Sequence, residues 1–128
     1  MSLVADTDVL VDFLRGRDLA DRIALELEKG DISTTVVTAF ELWAGAKNPT
    51  HAEAVETLLA AMRILPLETQ SAKRAGEVRR SLEQKGKSIG MADSLIAGIC
   101  LEHNGTLLTR NKKHFKRVHG LHLSHGTK

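Results

Sequence analysis

The chain has little of what staples or anchors a small protein. Its 128 residues include one cysteine, two prolines, one tryptophan, three phenylalanines and no tyrosine. A single cysteine excludes an internal disulfide framework, so a reducing cytosol is the expected home. Cys100 lies in an apolar helical stretch and reads as a small buried hydrophobe, not a reactive thiol. The two prolines stand apart, and there is no proline-rich linker, repeat or low-complexity segment. No apolar run approaches the ~20 residues that a membrane helix needs. The N-terminus lacks the basic start and long apolar stretch of a secretion signal. Acid is missing from the entire segment after Glu102.

What remains describes one globular unit, residues 1–128, with 42% hydrophobic residues. A chain of this length buries about two thirds of its unfolded surface. Net charge is only +2 but unevenly spread. The acid-free segment carries Arg110, Lys112, Lys113, Lys116, Arg117 and Lys128, with five of the six histidines. Residues 71–90 add Lys73, Arg74, Arg79, Arg80, Lys85 and Lys87 against Glu77 and Glu83. Basic surfaces of this kind suit a polyanionic substrate. His119, His122 and His125 have no cysteine or acid near them and read as an exposed tail, not a zinc site.

Short apolar runs alternate with helical patterns. Leu3–Ala5 reads as a strand, and Thr7 as the N-cap of a helix through about Arg15, stopped at Gly16. Leu19, Ile23 and Leu27 make the stripe of a second helix, stopped by Gly30. A strand over 31–35, a helix over 36–46 and a helix over 51–61 follow, the last two parted by Asn48-Pro49. Residues 63–67 read as a strand that Pro66 places at an edge. Long helices over 69–85 and 91–103 come next, the second apolar nearly all round and therefore central. Strand 106–109, a basic helix 111–118 and a last strand 121–123 complete the chain. The alternation predicts an α/β fold of three layers, α/β/α, with a short, mostly parallel central sheet. Ligands of such sheets sit beyond the carboxyl ends of the strands. Trp43 follows an apolar phase and is expected in a core or an interface.

Three acids stand out against this pattern. Asp6 closes the run Leu3-Val4-Ala5, Glu41 sits inside Val36–Trp43, and Asp93 opens an apolar helix. A carboxylate in such a place is costly unless something positive compensates it. Acids distant in sequence that converge in a cleft are how a protein holds a hard divalent cation. Asp8 and Asp12 lie one turn apart at the start of the first helix, where acids are favoured. Asp8 borders the expected site.

The segments around these acids resemble those of PIN domains. Val4-Ala5-Asp6-Thr7-Asp8-Val9-Leu10-Val11-Asp12 is similar to their opening. Glu41-Leu42-Trp43-Ala44-Gly45 resembles their second acidic motif, and Ala92-Asp93-Ser94-Leu95-Ile96-Ala97 their third. Leu107-Leu108-Thr109-Arg110-Asn111-Lys112-Lys113-His114-Phe115 resembles the closing one. Each motif alone is weak, but the four occur in order over nearly the whole chain. The nearest subgroup is the short VapC-type toxin ribonucleases. The resemblance implies an endoribonuclease dependent on Mg²⁺ or Mn²⁺. It implies Asp6, Glu41 and Asp93 as metal ligands and catalytic acids, with Asn111 where many members carry a fourth acid. Thr7 and Thr109 match supporting hydroxyl positions, and Asp8 stands where members commonly have Asn. Arg110, Lys112 and Lys113 are then expected to grip RNA. The partners implied are an antitoxin protein and a second copy of the chain, with no membrane.

Two other readings compete. Asp6-Thr7-Asp8-Val9-Leu10 also resembles the nucleophile motif of haloacid-dehalogenase-type phosphatases, although those enzymes usually have a longer chain and a paired late acidic motif where this chain has the single Asp93. A catalytically weak RNA- or protein-binding module on the same fold is the other.

Overall fold

Three residues of strand suffice where both faces of a sheet are covered, and the alternation of Val4 and Ala5 shows how. In the computed structural model, which describes residues 2–124, Val4 packs into one apolar layer and Ala5 into another on the opposite side. Leu107 and Leu108 divide in the same way, as the two-residue period of a strand requires. The elements run β1 (Leu3–Ala5), α1 (Thr7–Arg15), α2 (Ala20–Lys29), β2 (Ile32–Thr35), α3 (Val36–Ala44), α4 (Pro49–Ala60), β3 (Arg63–Leu65), α5 (Thr69–Gln84), α6 (Met91–Glu102), β4 (Thr106–Leu108), α7 (Lys112–Phe115) and β5 (His122–Leu123). Met1 and residues 125–128, with His125 and Lys128 of the basic tail, lie outside the described residues.

The five strands are ordered β3-β2-β1-β4-β5 and every pairing is parallel. The sheet is thus wholly, not mostly, parallel. β3, which precedes Pro66, is an edge strand as expected. From β1 the chain moves outward through β2 to β3, then returns to pair β4 on the other side of β1. That reversal leaves a crevice at the carboxyl ends of β1 and β4, the place where open α/β sheets bind ligands. Ala5 is in register with both Thr34 and Leu108. Asp6 and Thr109 therefore leave the sheet beside Thr35, the last residue of β2.

One layer packs Val9 and Leu10 of α1, Ile23 of α2, Leu42 of α3, and Val55 and Leu58 of α4 against the sheet. The other packs Leu82 of α5, Ile96 and Ile99 of α6, and Phe115 of α7. Gly98 lets α5 and α6 approach closely: a Cβ there would stand 2.7 Å from the Ala75 nitrogen and from the Ser71 carbonyl oxygen. No helix among the described residues is long and apolar enough to cross a membrane.

Several details depart from the sequence reading. Asp6, not Thr7, is the N-cap of α1, and its side chain accepts the Thr7 amide. The basic helix is one short turn, Lys112–Phe115, beyond which the Arg117 and Val118 amides donate to the His114 and Phe115 carbonyls in an i→i−3 pattern. The apolar stripe Leu19/Ile23/Leu27, with Leu58, Leu59 and Met62 in and just after α4, is core or packed against it. The exposed apolar residues lie instead on α3. There Val36, Phe40 and Trp43, spaced to share a face, are 40%, 69% and 41% exposed. Trp43 is thus not a core residue.

Candidate active site

Asp6 is held by its position. It is 5% exposed, caps α1 through Oδ1 at 2.8 Å from the Thr7 nitrogen, and accepts the Thr109 hydroxyl on Oδ2 at 2.7 Å. Both oxygens are thereby oriented, yet no charge is neutralised. Burial first, and then the nearby Asp8, push the Asp6 carboxyl up to about 7, against the two hydrogen bonds that favour the ionised form. Asp93 adds to the repulsion.

Thr7 links Asp6 to Glu41. Its hydroxyl donates to Glu41 Oε1 at 2.5 Å and lies 3.0 Å from the Thr38 hydroxyl. Thr35 caps α3 through the Thr38 amide at 3.1 Å. That cap fixes the start of the helix on which Glu41 stands half-buried, two turns on.

The third acid arrives from the other layer. Asp93 lies in the first turn of α6, whose N-cap is Gly90, so Asp93 is not a cap. Asn111 Nδ2 faces Asp93 Oδ2 at 3.4 Å and His114 Nδ1 at 3.0 Å. Asn111 occupies the cap position of α7 but makes no side-chain cap bond. Burial raises Asp93, with Glu41 and Asp8 adding to it and His114 opposing. Asp8 is raised by burial too, moderated mainly by the Arg110 amide, which donates to it at 3.1 Å.

Asp6, Asp8, Glu41 and Asp93 therefore share one electrostatic neighbourhood at the crevice. Among the described residues no ion pair reaches Asp6, Asp8 or Glu41. Nor do any three His, Cys, Asp or Glu side chains there already form a metal-holding group. The acids gather without closing into a cage. An all-oxygen donor set with an excess of negative charge suits a hard cation that keeps several of its waters, as Mg²⁺ does.

Two participants escaped the sequence reading, and a third has another setting than expected. Thr38 joins the Thr7–Glu41 link, and its signal was the Thr35–Thr38 spacing of a helix cap. His114 touches the Asn111–Asp93 pair from one turn along. Asp12 is no solvated first-turn charge: it is 3% exposed and takes the Arg110 guanidinium on both oxygens. Arg110, expected to face RNA, has two of its nitrogens committed there. Lys112 and Lys113 open α7 beside Asn111, with Lys113 exposed.

Residues 3–121 match the PIN domain family. The chain belongs to that family. Its curated relatives include ribonuclease VapC10 of Mycobacterium tuberculosis, 33% identical over 88% of this chain and 85% of the relative. Another is the tRNA(fMet)-specific endonuclease VapC of Shigella flexneri, 25% identical over 94% and 95%. Among solved structures, VapBC2 of Rickettsia felis bound to a promoter DNA fragment superposes with a TM-score of 0.86 at 28% identity, covering 97% of this chain and 98% of that one. The all-parallel sheet is thus a PIN sheet, and Asp6, Glu41 and Asp93 stand at its carboxyl edge.

Proposed function

We propose that this PIN domain is a metal-dependent endoribonuclease acting in the cytoplasm, the toxin of a type II toxin–antitoxin pair. The observation that carries the reading is the acid cluster around buried Asp6, in which, among the described residues, no cation pairs with Asp6, Asp8 or Glu41, and which the Thr7 and Thr109 hydroxyls brace. The ribonuclease names of its relatives support the substrate class.

In this reading Asp6, Glu41 and Asp93 hold Mg²⁺ or Mn²⁺, with Asp8 adding negative charge. The cation supplies charge neutralisation at the phosphodiester and acidity for the attacking water. The chain's own residues do the rest. Thr109 and the Thr7 amide fix the two Asp6 oxygens, and the Thr7 hydroxyl fixes Glu41. Asn111 orients Asp93. Arg110, Lys112 and Lys113 place positive charge where flanking phosphates approach.

The partners proposed are an antitoxin protein and a second copy of the chain. The matched VapBC complexes support the first. The exposed face of Val36, Phe40 and Trp43 is the apolar surface that needs cover.

The deciding experiment incubates purified chain with RNA in EDTA, Mg²⁺ or Mn²⁺. Cleavage that needs the cation and disappears in Asp93→Asn is expected. RNA binding without cleavage under any cation points to a binding module, and a phosphoaspartate trapped on Asp6 points to the phosphatase.

A further inference from the structure

Asp12 sits one turn beyond Asp8 on α1, almost wholly buried at 3% exposure. A carboxylate there needs a partner. It finds one 98 positions away: Arg110 Nε donates to Oδ2 at 2.7 Å and Nη2 to Oδ1 at 3.2 Å. This is the planar two-bond fork that a lysine cannot reproduce. The Arg110 amide also donates to Asp8. One residue is thus tied to α1 by both backbone and side chain.

Its neighbours give the tie its meaning. β4 ends at Leu108 and α7 begins at Lys112. Residues 109–111 therefore cross the crevice outside strand and helix, and have to be positioned by other bonds. Thr109 on one side holds Asp6, and Asn111 on the other holds Asp93. The Thr109 hydroxyl accepts the Asn111 amide at 2.9 Å, completing the turn. A shift of Arg110 moves both contacts together.

We propose that Asp12 and Arg110 form a clamp that positions Thr109 and Asn111 on the acid cluster. Arg110 is a positioning residue before it is an RNA contact, and Asp12 is a further determinant of activity that touches neither substrate nor metal. The inference rests on the ribonuclease reading above.

The test uses the full chain carrying Asp12→Asn, which keeps the shape and loses the charge, Arg110→Lys, which keeps the charge and loses the fork, and both together. Measurements are made below each variant's melting temperature: kcat and KM on an RNA oligonucleotide, and Mn²⁺ affinity by electron paramagnetic resonance. Each single change should lower kcat and weaken Mn²⁺ binding by about 10- to 100-fold, the usual loss when the support of a metal site is removed. KM should stay within about twofold, because substrate contacts are kept. The double variant should be no worse than the worse single, since both act through one link. Parental kcat and Mn²⁺ affinity in Asp12→Asn overturn the clamp, as does a loss confined to melting temperature. A raised KM in Arg110→Lys with Asp12→Asn silent makes Arg110 an RNA contact instead. If Asp12→Asn does not fold, Arg110→Lys decides alone, at a half-exposed position that accepts lysine. If the parent cleaves no RNA, the ribonuclease reading falls, and the Mn²⁺ titrations still decide the clamp.

Discussion

The Thr109 hydroxyl donates to Asp6 Oδ2 at 2.7 Å, joining the ends of two adjacent strands from 103 residues apart. Asp6 takes its other bond from the Thr7 amide, which no side-chain substitution removes. Thr109 is thus the replaceable half of its support. Thr109→Val keeps the shape and leaves a buried carboxylate with one donor fewer, a loss of about 1–3 kcal/mol. Thr109→Ser should restore most of it. Urea unfolding of the three proteins at neutral pH checks the ordering, and a Val variant as stable as the Ser variant would contradict it.

Asp6 also gives the metal-free protein a pH dependence of unusual sign. Its carboxyl is pushed up from 3.8 to about 7, mainly by burial. Between those values the folded chain keeps a proton that the unfolded chain has lost. Unfolding releases that proton, so stability falls as pH rises from about 4 to 7. The full effect is bounded at about 4 kcal/mol, from roughly 1.4 kcal/mol per unit. Asp6→Asn should flatten this slope, stabilise the apo protein at pH 8 and abolish RNA cleavage. Thermal melts in EDTA across pH 5–8, with a cleavage assay, test all three. A parent whose stability rises over that range without metal would show that Asp6 ionises freely.

The acids were legible in the sequence because each broke a local apolar pattern, and Asp6 was visible as the end of a strand. The sheet was legible because strand and helix periods alternate. Relations across long separations were not. Nothing in the composition pairs Asp12 with Arg110, since an acid one turn into a helix also reads as a solvated charge. The short α7 was not legible because no breaker residue stands at Lys116 or Arg117; the backbone bonds tighten to an i→i−3 pattern there. The apolar faces of α2 and α4 turn out to be covered within the chain, which an amphipathic pattern cannot say by itself. On α3 the sequence left Trp43 between a core and an interface, because an apolar residue suits either, and the structure exposes it with Val36 and Phe40.

The seating of Asp93 depends on α6 lying close against α5. Gly98→Ala places a methyl 2.7 Å from Ala75 and from the Ser71 carbonyl, where backbone has to yield. The expected loss is about 1–3 kcal/mol, or roughly 4 °C or more in Tm. Because Asp93 stands at the start of the same helix, Mn²⁺ affinity should fall as the helix moves outward. Calorimetry and a metal titration on one preparation measure both. An unchanged Tm would show that the two helices separate at no cost.

The lysines of α7 should act on RNA and leave the metal alone. Lys112 and Lys113 begin α7 directly after Asn111, and the segment beyond Glu102 holds no acid to offset them. An ammonium group has only donors, so it binds phosphate oxygen but not a cation. Each phosphate contact that it makes releases counterions and steepens the salt dependence of binding by about 0.7 for single strands. Lys112→Ala with Lys113→Ala should therefore weaken RNA binding most at low salt and lower the slope by up to about 1.4, for two lost contacts. Mn²⁺ affinity should change little. Fluorescence anisotropy of a labelled RNA across a salt series, with Ca²⁺ in place of Mg²⁺ to suppress cleavage, separates the two effects. If the slope stays at the parental value, the strand passes elsewhere. The next surface to test is then the end of α5 and the loop beyond it, where Lys85 and Lys87 lie and Arg117 Nη1 faces the carbonyl oxygens of Lys87 and Ser88 at 3.5 and 3.4 Å.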